Sequence, residues 1–141
     1  MPEWVECELG QLLMPDDLAG PHVLVLREKN GARRFMVYVG AFEALAVRRQ
    51  VHGEIPPRPL THDLMLTLLS TLGGELRRVA VSSLVEDEAG NGIFHGLLVV
   101  GRDGGETMVD CRPSDAIALA VRAGCPIYVS REVLDKAGVP T

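Results

Sequence analysis

Apolar and polar positions alternate along the first third of the chain, and the period then lengthens. From Trp4 to Leu13 the apolar residues Trp4, Cys7, Leu9 and Leu12 are interleaved with Glu6 and Glu8, which predicts a strand near a sheet edge. Turn-forming residues follow at Pro15-Asp16-Asp17 and Gly20-Pro21. Val23 to Leu26 reads as a short strand, and Arg34 to Val39 as its return. The polar stretch between them ends in Asn30-Gly31, a hairpin dipeptide. From Ala41 to His52 the spacing becomes helical, with Glu43 in the first turn and Arg48 and Arg49 near the end, as the helix dipole favours. Gly53 stops that helix, and the run IPPRPL (Ile55 to Leu60) is held out of helical geometry by its prolines. Thr61 is expected to cap a second helix, whose stripe is Leu64, Met65, Leu68, Leu69 and Leu72, up to Gly73-Gly74.

Three strands are predicted next: Glu75 to Val85, then Ile93 to Val100 beyond an acidic turn (Glu86 to Gly92), then Glu106 to Cys111. Arg102-Asp103-Gly104-Gly105 joins the last two as a hairpin. Pro113 fits the first turn of a third helix, apolar nearly all round from Ala116 to the closing Gly124 except for Arg122, and such a helix belongs in a core. Pro126 to Val129 reads as a buried strand, and Ser130 caps a last helix, Arg131 to Ala137, ended by Gly138 and Pro140. Clustered strands with hairpin connections give an α+β fold: a mixed, mainly antiparallel sheet with three to four helices, in one domain over residues 1–141.

Composition narrows the classes. The 141 residues are 47% apolar and 23% charged, values of a globular chain with a real core. The net charge of −5 argues against polyanion binding by bulk charge. Twelve of the fourteen bases are Arg, the side chain suited to bidentate phosphate contacts, although codon usage explains such a bias equally well. Cys7, Cys111 and Cys125 form neither a disulfide framework nor a CxxC site, so free thiols in a reducing cytoplasm are expected. No signal peptide or membrane span is expected.

Candidate chemistry falls in two clusters. One is Arg58-Pro59-Leu60-Thr61-His62-Asp63, the other Asp110-Cys111-Arg112-Pro113-Ser114-Asp115, each at a predicted helix start. Together they offer carboxylates for a hard cation such as magnesium, Arg for a phosphate, and in His62 a general base or acid. The plain alternative is that Ser114 and Asp115 only cap their helix, that Arg112 pairs with a neighbouring carboxylate, and that His62 and Asp63 are a solvated helix start. No phosphate-binding glycine loop, HExxH or GxSxG string occurs.

These clusters carry a family resemblance. VGAFEA (Val39 to Ala44), PPRPLTHDL (Pro56 to Leu64), DCRPSDAIALA (Asp110 to Ala120) and PIYV (Pro126 to Val129) are similar to the bifunctional nuclease family of bacteria and plants, over roughly Cys7 to Gly138. The resemblance implies a compact α+β domain, often self-associated, with nuclease activity on DNA and RNA. Many family members carry a further C-terminal segment similar to a helical motif of nucleotide-excision repair proteins, and the sequence to Thr141 shows no such motif.

The expectation is therefore a metal-assisted nuclease with His62, Asp63, Asp110 and Asp115 catalytic. Asp63, Asp110 and Asp115 would hold magnesium or manganese, and Arg58, Arg112 and Ser114 the phosphate. The alternative is a non-catalytic module that uses the same anion site to bind a ligand or a partner. A homo-oligomer, with a dimer favoured, is expected from strand edges exposed at Trp4 to Leu13 and in the Val23 to Val39 hairpin. One further requirement follows: if both clusters build one site, the helix starts at Thr61 and Pro113 lie side by side.

Overall fold

A computed structural model describes residues 4–16, 19–86, 88–89 and 92–140. It has the expected α+β architecture, a mixed and mostly antiparallel sheet with four helices. The strands are β1 (Trp4–Leu13), β2 (His22–Glu28), β3 (Arg33–Val39), β4 (Glu75–Glu86), β5 (Gly92–Arg102), β6 (Gly105–Cys111), β7 (Ile127–Ser130) and β8 (Val139–Pro140). The helices are α1 (Ala41–Val51), α2 (Thr61–Thr71), α3 (Pro113–Ala123) and α4 (Arg131–Ala137). The sheet order is β6-β5-β4-β7-β1-β2-β3-β8, and only β4 and β7 run parallel. Parts of the turns expected around Asp17 and from Glu86 to Gly92 lie outside the described residues.

Local chemistry accounts for most of these elements. The β5–β6 hairpin turns on Asp103 (φ 52°) and Gly104 (φ 77°), both left-handed as a two-residue primed turn requires. The β2–β3 connection departs from expectation. Neither Asn30 nor Gly31 has positive φ, and the loop is held instead by the Glu28 carboxylate, which accepts from Arg33 N–H at 2.9 Å. Ser130 caps α4, its hydroxyl accepting from Val133 N–H at 3.1 Å. In α2 the cap is not Thr61: the Asp63 carboxylate reaches back to Leu60 N–H at 3.0 Å.

The sheet wraps around α3. Phe35 of β3 and Phe94 of β5, separated in the sheet by four strands, meet edge to face with centroids 4.9 Å apart. Ala116 to Ala120 are all buried inside that curl, among Leu24, Leu26, Val79, Val81 and Leu98. Small residues on α3 let the strands come close on several sides, as its nearly all-apolar sequence requires.

Two expectations about exposure are corrected. β1 is no edge: it lies between β7 and β2, and the sheet ends instead at β6 and β8. β3 is bordered by β2 and, over Arg33 and Arg34, by β8. The leucine stripe of α2 mostly faces away from the core, because the inward side is His62, Leu66 and Leu69. A helix apolar on two sides does not reveal by its pattern which side is buried.

Candidate active site

The required juxtaposition is present: the starts of α2 and α3 abut. His62 Nε2 lies 3.4 Å from Asp115 Oδ1. Their helices pack together, and α1 also packs against α3. Arg112 is the N-cap residue of α3, in extended geometry at φ −75° and ψ 150°, and Pro113 opens the helix. From there the Arg112 guanidinium folds back onto Asp115 as a two-pronged pair, Nε to Oδ2 at 2.9 Å and Nη2 to Oδ1 at 3.0 Å. The same Nη2 lies 3.3 Å from Glu43 Oε1 in the first turn of α1. The result is one chain of contacts, His62–Asp115–Arg112–Glu43, joining three helix starts.

This network lines a cleft of about 620 Å³ walled by Phe42, Arg49, Leu60 and Met65. Arg49 also lines an adjoining groove with Arg58 and the proline run. The Arg112 guanidinium beside Asp115 holds that carboxyl below the usual carboxylate range, against the opposing effect of burial. Asp115 is thus an anion facing the His62 imidazole, which suits it to orient the ring. Where Asp115 accepts from Nε2–H, Nδ1 is left as the basic nitrogen. Burial first, then Asp115 and Asp110, push the neighbouring Cys111 thiol up to about 11, which favours the uncharged thiol near neutral pH.

The expected three-carboxylate metal set does not assemble. Asp63 sits on the other side of its helix start, bound to the Arg122 guanidinium from α3, and that pair lowers its pKa. Asp110 is 83% exposed on the sheet face away from the helices, where β6 pairs it with Leu97, and its carboxylate lies 3.8 Å from His95 Nδ1. Strand alternation explains the separation: Cys111 points in, so Asp110 points out. Among the described residues no group of three His, Cys, Asp or Glu side chains is placed to hold a metal ion. The donors thus do not fit a cation shared by Asp63, Asp110 and Asp115.

The other expected residues divide. Arg112 is in the cleft wall, and Arg58 is exposed in the adjoining groove. Ser114 is buried and lines a separate hollow with Gly40, Tyr38 and Phe94. Sequence reasoning treated Glu43 as a dipole partner only, and did not foresee Arg49 in the cleft or Arg122 behind it. A signal for Arg122 existed in its isolation as the single charge on an otherwise apolar helix.

Fold and cleft together define a small α+β domain with a histidine–carboxylate pair beside exposed arginines. A family model for the bifunctional nuclease domain matches residues 24–141, and the chain belongs to that family. It is 43% identical over 117 residues to an uncharacterized protein of Mycobacterium tuberculosis (strain H37Rv), covering 83% of this chain and 66% of that protein. It is 25% identical over 127 residues to bifunctional nuclease 1 of Oryza sativa subsp. indica, covering 87% of this chain and 37% of the rice protein. The chain thus spans just under two thirds of the mycobacterial relative and little more than a third of the plant one. No helix among the described residues is long and apolar enough to cross a membrane.

Proposed function

We propose that this chain is a nuclease that hydrolyses phosphodiester bonds of DNA, RNA or both, using the cleft at the three helix starts. The observation that carries the reading is the His62–Asp115 contact, with Asp115 gripped by Arg112 at the mouth of the cleft. His62 takes the proton from the attacking water and returns one to the leaving oxygen. Asp115 orients the imidazole. Arg112, 65% exposed, has N–H groups left to face a phosphate, and Arg49 and Arg58 extend that basic track along the adjoining groove. Asp63 and Asp110, first expected to be catalytic, are a positioning residue and a bystander in this reading. Free thiols at Cys7, Cys111 and Cys125 suit a reducing compartment and so support the cytoplasm as the place of this activity.

The test compares wild type, His62→Ala and Asp115→Asn, prepared identically, on single-stranded DNA and RNA, in chelator and with added magnesium or manganese. His62→Ala should slow cleavage by about 100-fold or more in whichever condition supports it, the usual worth of a placed acid–base group. Full activity in both variants would instead identify a contaminating nuclease. The cleft would then belong to a non-catalytic binding module, a reading favoured by the net charge of −5 and by the scarcity of aromatic residues for stacking on bases.

A further inference from the structure

The two most exposed of the six aromatic residues stand on either side of Arg112. Tyr38, 70% exposed, is near the end of β3, and Phe42, 86% exposed, is in the first turn of α1. Only Val39, Gly40 and Ala41 separate them, with Gly40 extended at φ −73° and ψ 163° as the N-cap residue of α1. The change from strand to helix sends the two rings to different cavities. Phe42 lines the His62 cleft, and Tyr38 lines the separate hollow of about 540 Å³ with Met36, Phe94, Pro113 and Ser114. Among the described residues Arg112 alone lines both. Rings of this size bury about 150–250 Å² each when covered, so two left open beside one guanidinium favour flat partners.

We propose that Tyr38 and Phe42 are base-stacking positions, one for the nucleoside on each side of a phosphate held at Arg112. That phosphate belongs to the nuclease reading above, on which this extension rests. Charge and shape select a nucleoside for the hollow. Its volume lies within the range of small-ligand sites, about 300–1,000 Å³. Arg112 is its one charged lining residue, and that guanidinium is already shared by Asp115 and Glu43, so a further anion inside the hollow would lack a counter-charge. On the cleft side Arg49, with Arg58 in the adjoining groove, supplies that charge, which keeps the phosphate there. An uncharged flat ring in the hollow meets Tyr38, Phe94 and Met36 as apolar walls, and stacking tolerates any base. Ser114, 7% exposed, offers the edge of the ring a polar partner, because its hydroxyl makes no side-chain hydrogen bond with another described residue. Two neighbouring bases turned apart onto Tyr38 and Phe42 have left a duplex stack, so the arrangement selects single-stranded nucleic acid.

The test reads binding without cleavage: fluorescence anisotropy of a short labelled oligonucleotide, with every protein in a His62→Ala background and in excess chelator. Tyr38→Ala and Phe42→Ala should each raise the dissociation constant about 10-fold, the worth of one stacked base, and Tyr38→Phe and Phe42→Tyr should keep it near the starting value. Trp4→Ala, at an aromatic residue that lines neither cavity, should leave it unchanged. The same sequence as a blunt duplex should bind about 10-fold or more less tightly. In a second measurement, a photoreactive iodouracil in the single strand should crosslink to Tyr38 or Phe42, located by peptide mass. Undiminished affinity in both alanine variants, equal binding of single strand and duplex, or a loss in Trp4→Ala as large as in the other two would each overturn the stacking positions. If the expected pattern holds while the wild type cleaves no nucleic acid, the stacking positions stand and the nuclease reading fails.

Discussion

Arg122 lies outside the cleft, yet it should govern both stability and the site. Its side chain is 7% exposed and reaches from α3 to two other helices: to the Asp63 carboxylate on α2, and through Nη1 to the Ala46 carbonyl on α1 at 3.4 Å. Arg122→Met keeps most of the apolar stem and removes the guanidinium, leaving Asp63 without its cation. Breaking a fully buried pair costs about 3–5 kcal/mol, and an exposed pair contributes under about 1 kcal/mol. Asp63 is 26% exposed and keeps the Leu60 N–H, so the loss should fall between these limits, about 2–3 kcal/mol. For a chain of this length that lowers Tm by roughly 6–10 °C. The assay is urea and thermal unfolding of Arg122→Met, Asp63→Asn and the double variant. In the double variant no unpaired carboxylate remains, so much of the loss should be recovered and the two effects should be strongly non-additive. Nuclease activity of Arg122→Met should also fall, because the α2 start that carries His62 loses its anchor to α3. A loss below about 0.5 kcal/mol, or simple additivity, would show that the pair does not hold the helices together.

The remaining predictions concern the cleft's support and its response to acid. At Gly96 an added Cβ would lie 2.7 Å from the Arg112 carbonyl oxygen and 2.8 Å from its carbon, both backbone, so Gly96→Ala should displace the α3 start. It should cost about 1–3 kcal/mol and reduce nuclease activity, read by urea unfolding and a cleavage assay; unchanged stability would refute the close approach. Asp63 and Asp115 are both held below the ordinary carboxylate range, by Arg122 and Arg112 respectively. Their stabilisation is therefore complete above about pH 5 and is lost as pH falls from the ordinary carboxylate range through the depressed folded values. Urea midpoints should drop between pH 5 and pH 2, and less steeply in Asp115→Asn; equal slopes would remove Asp115 from the acid response.

Periodicity in the sequence determined much of the architecture, because strand, helix and turn preferences are local. The Asp103-Gly104 turn needs only two residues that tolerate left-handed geometry, the Ser130 cap only a hydroxyl three residues ahead of its N–H, and the α3 core only a run of small apolar side chains. Order in the sheet was not legible. β7 inserts between β4 and β1, and nothing local to Trp4–Leu13 says that both its edges will be taken. Which apolar side of α2 turns inward was equally hidden, since both sides satisfy a hydrophobic pattern. For the site, the sequence brought His62, Arg112 and Asp115 forward as chemistry at helix starts and offered the pairing of Arg112 with a neighbouring carboxylate, and the tertiary structure decided the distant partners. A carboxylate at a helix start can cap, pair or ligate with the same spacing. The fold gave Asp115 to His62 and Arg112, gave Asp63 to Arg122, and turned Asp110 to the far face of the sheet. Of these, the contacts of 62 with 115 and of 63 with 122 join residues more than fifty positions apart, distances over which local pattern carries no information.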